Sequence, residues 1–132
     1  MKIFVYLLCL FSFSIVKTYA QDSLGIIHLY WGQVSDMVIS TEQIKEIKSI
    51  HVHDTIKNRS ISEVTKFRFM MQPVLQGEVK VIDGKGAYLN DRMKLLIQNP
   101  GSGDRIIITE IYAKVGEEGE RKIPVAAVIV VE

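Results

Sequence analysis

Residues Arg105 to Ala113, RIIITEIYA, lie between two sets of chain breakers, Pro100-Gly101-Ser102-Gly103 before and Gly116-Glu117-Glu118-Gly119 after. A run this short and this rich in β-branched residues is a strand, and apolar side chains on both of its faces place it in the middle of a sheet. A central strand needs neighbours on both sides, so the rest of the chain must supply them. Leu24 to Tyr30, Val34 to Ile39, Ile50 to His53, Thr65 to Met71, Glu78 to Ile82 and Arg121 to Val131 are the candidates. Phe67, Phe69 and Met71 alternate with Lys66, Arg68 and Met70, the period of two that buries one face. Pro73 ends that run, and Glu78 to Ile82 is expected as its antiparallel partner, followed by a turn at Asp83-Gly84-Lys85-Gly86. Pro124 puts the early part of the last strand at a sheet edge or bulge.

Two short helices complete the pattern. Ser40 followed by Gln43 forms a capping box, and Ile44, Ile47 and Ile50 make a one-sided stripe that predicts two or three turns covering a sheet. Asn90 caps a second helix carrying Met93, Leu96 and Ile97, which the Pro100 to Gly103 segment stops. The expected fold is mainly β, an antiparallel β-sandwich-like domain with two short helices.

The first twenty residues stand apart from this pattern. Met1-Lys2 gives a basic start, Ile3 to Val16 is apolar apart from two serines, and Thr18-Tyr19-Ala20 presents small residues where a signal peptidase reads. Residues 1–20 are therefore expected to be a signal peptide cleaved before Gln21, and 21–132 a single domain. The apolar run is 14 residues long, short of the roughly 20 that span a bilayer, so no stable membrane insertion is expected after cleavage. Cys9 follows Leu8 too early in the leader to be a lipid-anchored cysteine. Without Lys2 and Lys17 the basic count falls from 16 to 14 against 15 acidic residues, a net charge of −1. That balance gives no basic surface for nucleic acid. Cys9 is the chain's one cysteine, so the exported domain has to hold together by its core, which favours a bacterial periplasm or cell surface over a disulfide-rich secreted setting.

Candidate chemistry is sparse. His51 and His53 are two apart on one strand and point to one side, so both imidazoles can meet one metal ion, but no third ligand stands at a recognisable spacing and His28 is the only other histidine. The serines lack the surroundings of a nucleophile elbow, Asp83-Gly84-Lys85-Gly86 is too short for a phosphate loop, and Glu117, Glu118 and Glu120 sit in a solvated turn. No catalytic residue, metal or cofactor is expected. Trp31, Lys66 and Arg68 are the candidates for contact with a partner, Trp31 as an exposed aromatic that also suits a glycan, the two cations as one face of a strand that suits an acidic surface. Asp22-Ser23-Leu24 and Asp54-Thr55-Ile56 match short bacterial O-glycosylation tripeptides.

Ser40-Thr41-Glu42-Gln43-Ile44, Glu63 through Phe69, Gly103-Asp104-Arg105 through Ala113, and Gly119-Glu120-Arg121-Lys122-Ile123-Pro124 together resemble the C-terminal domain of GldM, from the gliding-motility and type IX secretion machinery of Bacteroidota. The likeness covers about three quarters of the chain. Its sharpest points are Gly103-Asp104 at a strand opening, Ile111-Tyr112-Ala113 at its end, and Gly119 and Arg121 at the last turn; these shape the fold. Val115 to Gly119 departs from the family's Gly-Pro-Asp-Gly turn. GldM has an inner-membrane anchor and further extracytoplasmic domains, where this chain has an export signal and one domain. The resemblance implies an exported, non-catalytic protein-contact module that binds envelope proteins in the periplasm or at the cell surface. A small extracytoplasmic metal-binding protein or metal-dependent enzyme using His51 and His53 is the alternative.

Overall fold

A computed structural model of the chain describes residues 25–54, 61–75 and 77–132. The leader, the Asp22-Ser23-Leu24 tripeptide and most of Asp54-Thr55-Ile56 lie outside the described residues. The protein is mainly β, with two short helices and an open multi-stranded sheet. In chain order the elements are β1 (Ile26–Tyr30), β2 (Val34–Ile39), α1 (Thr41–Ile44), β3 (Ser49–His53), β4 (Ile61–Gln72), β5 (Lys80–Lys85), α2 (Asp91–Leu96), β6 (Arg105–Val115), β7 (Glu120–Ile123) and β8 (Ala126–Val131). The larger sheet runs β2-β8-β6-β4-β5, with β7 paired to the far half of β6. As its doubly apolar pattern predicts, β6 is central. A second sheet consists of β1 and β3 alone.

The pairing is not wholly antiparallel. β4–β5, β4–β6, β6–β7 and β6–β8 are antiparallel, whereas β1–β3 and β2–β8 are parallel. Parallel partners need a crossover, and here β2 and α1 together form the crossover from β1 to β3. The sequence shows the strands but not that the third element returns in the direction of the first.

Two further expectations are corrected. The capping box forms as read, with the Gln43 N–H donating to Ser40 Oγ at 3.2 Å and the Ser40 N–H to Gln43 Oε1 at 3.5 Å. The helix nevertheless ends after one turn, because Lys48 and Ser49 both donate backbone N–H groups to the Gly25 carbonyl, at 2.7 and 3.1 Å, and carry the chain into β3. Ile44 and Ile47 are buried as the stripe predicts, while Ile50 is buried as a strand residue opposite Ile27. Asp83, Gly84 and Lys85 are likewise strand rather than turn. Gly84 packs where a Cβ would lie 2.7 Å from Met93 Cε and 3.3 Å from the Phe67 ring, so glycine serves here for close approach, and the turn begins at Gly86 (φ 74°).

One core joins all the layers. Ile27 and Leu29 from β1, Ile50 and Val52 from β3, Ile44 from α1, Met93 from α2 and the inward residues of β4, β6 and β8 belong to a single buried cluster. On β6 the inward series is Ile106, Ile108, then Ile111, Ala113 and Val115. The step of three between Ile108 and Ile111 needs a β-bulge to keep both sets on one face. It is visible where Lys66 pairs with Tyr112 but Arg68 with Thr109, and Glu110 takes φ 50°. On the other edge of β6 the partner changes from β8 to β7 at the same level, across Pro124-Val125. The final run, expected as one strand from Arg121 to Val131, is thus broken in two at Pro124, and its early part, β7, pairs with β6 alone, at the sheet edge where Pro124 is expected to put it.

Candidate functional site

Strand register decides which side chains meet outside this core. In the β1–β3 pair, Ile27, Leu29, Ile50 and Val52 face inward, so His28, Tyr30, His51 and His53 share the outward face, with His28 opposite His51 and Tyr30 opposite His53. All three histidines of the chain therefore gather on one small surface. His28 Nδ1 and His53 Nε2 are 2.8 Å apart, a hydrogen bond in which one nitrogen carries the proton and the other offers a lone pair. Their ring centroids are 5.1 Å apart. That equals the N···N distance plus about one ring radius at each end, so the rings meet edge to edge along the bond and do not lie face on face. His51 crosses His53 at 4.4 Å and 73°, and stands 6.1 Å from His28. Tyr30 covers the other side of His53, nearly parallel at 5.0 Å.

Burial is the first reason, and the nearby His51 imidazole the second, that His28 and His53 titrate below the ordinary histidine range; for His53 the neighbouring His28 adds to it. His51 and His53 lie together as their spacing predicts. His28 was visible only as a third histidine, since nothing in a single sequence shows that β1 and β3 are parallel neighbours in this register. Among the described residues no group of three or more His, Cys, Asp or Glu could hold a metal ion as the side chains stand, and the facing nitrogens of His28 and His53 are bonded to each other.

The second surface is the outward face of the large sheet. One row crosses five strands as Asp36, Val128, Ile107, Met70 and Val81, and a parallel row runs Val38, Val130, Arg105 and Gln72. Val38 is 64% exposed and Val81 50%. Beyond these rows the face turns polar. Arg68 grips Asp83 at 2.9 Å, Lys122 meets Glu110 at 2.9 Å, and Lys66 lies 3.8 Å from Glu120 and 4.3 Å over the Tyr112 ring. The bond from Arg68 holds the Asp83 carboxyl below the usual carboxylate range, and the bonds to Asp83 and Glu110 raise Arg68 and Lys122. These pairs are exposed and worth little to stability. A shallow groove lined by Asp36, Val38, Arg105, Val128 and Val130 runs beside edge strand β2.

The sequence-stated contact candidates fall unevenly on these surfaces. Lys66 and Arg68 are on the outward face of the large sheet, engaged with Glu120, Tyr112 and Asp83 of their own chain. Trp31 is half-buried at the β1–β2 corner, packed against the core, with the Arg121 guanidinium 5.4 Å from its ring; it does not stand free as a stacking platform. The residues quoted for the family resemblance sit at joints. Asp104 accepts the Val74 N–H at 3.0 Å and the Gly101 N–H at 2.8 Å, tying the end of β4 to the start of β6. Gly103 and Gly119 have φ of 90° and 81°, Ile111 is fully buried past the bulge, and Arg121 binds Glu118 at 2.8 Å across the last turn.

No helix among the described residues is long and apolar enough to cross a membrane. No protein-family model matches the chain, and no curated protein matches it either.

Proposed function

We propose that this chain is an exported, non-catalytic protein-contact module of the bacterial cell envelope, acting in the periplasm or at the surface in the manner of the GldM C-terminal domain of gliding motility and type IX secretion. The six-stranded sheet and the β1–β3 pair are read as the two layers of a sandwich-like domain whose outer large face meets the partner. The carrying observation is that face. Its inner side is filled by the core, while on edge strand β2 Val34, opposite Ala126, and Val38, opposite Val130, remain about two-thirds exposed (66% and 64%). β2 lacks the lysines that blunt the opposite edge, where Lys80 and Lys85 flank β5. An edge whose one charge is Asp36, beside a groove of valines, suits an extended segment of an envelope protein, which adds its backbone to β2 and seats alternate apolar side chains in the groove.

Photo-crosslinking tests this. A photoreactive residue at Val38 is expected to give one discrete adduct with an envelope protein in intact cells, and the same group at Leu95, exposed on α2, is expected to give none. The identified protein should then bind the purified chain, and Val34→Lys should weaken that binding by about tenfold or more, the scale of an interface anchor worth over 1 kcal/mol. Equal adducts at both positions, or an adduct only with a second copy of the chain, defeats the proposal.

A further inference from the structure

We infer that His28, His51 and His53 form a binding site for a divalent first-row transition ion, of the class that prefers imidazole, such as zinc. The inference is independent of the contact surface, which lies on a different sheet. Three observations carry it. The chain has only three histidines, and the parallel β1–β3 register brings all of them to one face although 25 residues separate His28 from His53. Their ring centroids are 4.4, 5.1 and 6.1 Å apart. Around a tetrahedral ion with metal–nitrogen bonds of about 2.0–2.1 Å, imidazole centroids fall about 5 Å from one another, near the spacing of these three rings, so bringing their nitrogens onto one ion requires the rings to turn rather than the strands to move. Finally, the His28 Nδ1 and His53 Nε2 atoms face each other at 2.8 Å with a proton between them.

A metal ion replaces that proton. Two nitrogens bound to one tetrahedral ion sit about 3.4 Å apart, so the rings must part by roughly half an ångström and turn toward His51. Side chains that are half-buried or exposed, as these are, have the rotational freedom to do so. The proton on that ring nitrogen is given to solvent while the other nitrogen of the same ring takes one up, so the histidine changes tautomer and stays neutral, and both facing nitrogens then donate lone pairs to the ion. Three imidazoles leave the fourth position for water. Tyr30, lying along His53, limits how far that ring can swing and keeps its open edge toward the other two.

The test is zinc titration of the purified protein, prepared without a polyhistidine tag, followed by calorimetry and by native mass spectrometry. One zinc per chain is expected, with the imidazole ring resonances of all three histidines moving together. His28→Ala, His51→Ala and His53→Ala are each expected to raise the Kd by at least about tenfold, the scale on which even outer-shell partners of a metal act. None of the three side chains is part of the buried core, so the variants are tolerable to the fold, and far-UV circular dichroism checks it. Zinc retained by the triple variant, or ring resonances that stay in place at saturating zinc, overturns the site. Val34→Lys should leave zinc binding unchanged, which separates failure of this site from failure of the contact surface.

Discussion

At the scale of single residues the histidine face makes the chain sensitive to acid. His28 and His53 titrate lower in the folded protein than in the unfolded chain, chiefly through burial and then through His51. Among the described residues the rings that face them are each other, His51 and Tyr30. When the folded pKa is the lower one, the unfolded state binds more protons as pH falls. Stability is then complete above about pH 6.5, the unfolded histidine value, and is lost as pH falls from there toward the folded values. Urea midpoints measured in a chelator at about pH 7.5 and about pH 5 should show this drop. The His28→Gln variant should show a smaller one, because it also relieves His53. A midpoint that rises on acidification would mean the rings gain rather than lose by protonation. The two-residue spacing of His51 and His53 was legible in the sequence, but their third partner was not, since register between strands leaves no local trace.

At the scale of elements, legibility followed how local the cause is. The presence of the strands, both helix caps and the stop at Pro100 to Gly103 rest on neighbouring residues and were legible, whereas strand ends were not: the last run is two strands, β7 and β8, and β4 begins at Ile61 rather than Thr65. The length of α1 and the fate of Asp83 to Lys85 rest on distant ones, the Gly25 carbonyl and the Met93 side chain. The bulge in β6 was present in the sequence as the step of three from Ile108 to Ile111, and the doubly apolar run masked it. Gly84 shows the energetic consequence of such long-range packing. Its alanine variant places a methyl 2.7 Å from Met93 Cε and 3.3 Å from the Phe67 ring, in a joint between β5, α2 and β4 where both partners are buried. Overpacking costs about 1–3 kcal/mol, and the low end applies here because Met93 Cε is the far end of a flexible side chain that can give way. Met93→Leu removes the clashing Cε, so the double variant should be less destabilised than the sum of the two single ones, a coupling that denaturant titration of all four proteins resolves. Additive effects would show that Met93 does not constrain Gly84.

At the scale of the whole molecule, the small sheet is stitched to the large one by backbone as well as by core. Gly32 donates to the Pro124 carbonyl at 2.9 Å and Ala126 to the Gln33 carbonyl at 3.3 Å, while Ile50 donates to Ala87 at 2.9 Å and Leu89 to Lys48 at 2.8 Å. The parallel β2–β8 pairing joins the first half of the chain to its last strand. A chain with one cysteine cannot close a disulfide on itself, so this continuity of core and hydrogen bonding has to provide the cohesion. The β1–β3 histidine face and the β2 edge are consequently parts of one cooperative unit. Leu29 lies at the centre of that union, fully buried on β1. Leu29→Ala is expected to cost about 2–5 kcal/mol, a large fraction of the roughly 5–15 kcal/mol that holds a domain folded. Because unfolding is shared, Trp31 fluorescence, which reports the β1–β2 corner, and far-UV circular dichroism, which reports mainly the large sheet, should shift to lower urea by the same amount. If the fluorescence midpoint fell while the dichroism midpoint stayed, the two sheets would be separate stability units, and a metal bound at the histidines could not stabilise the edge strand proposed as the contact surface.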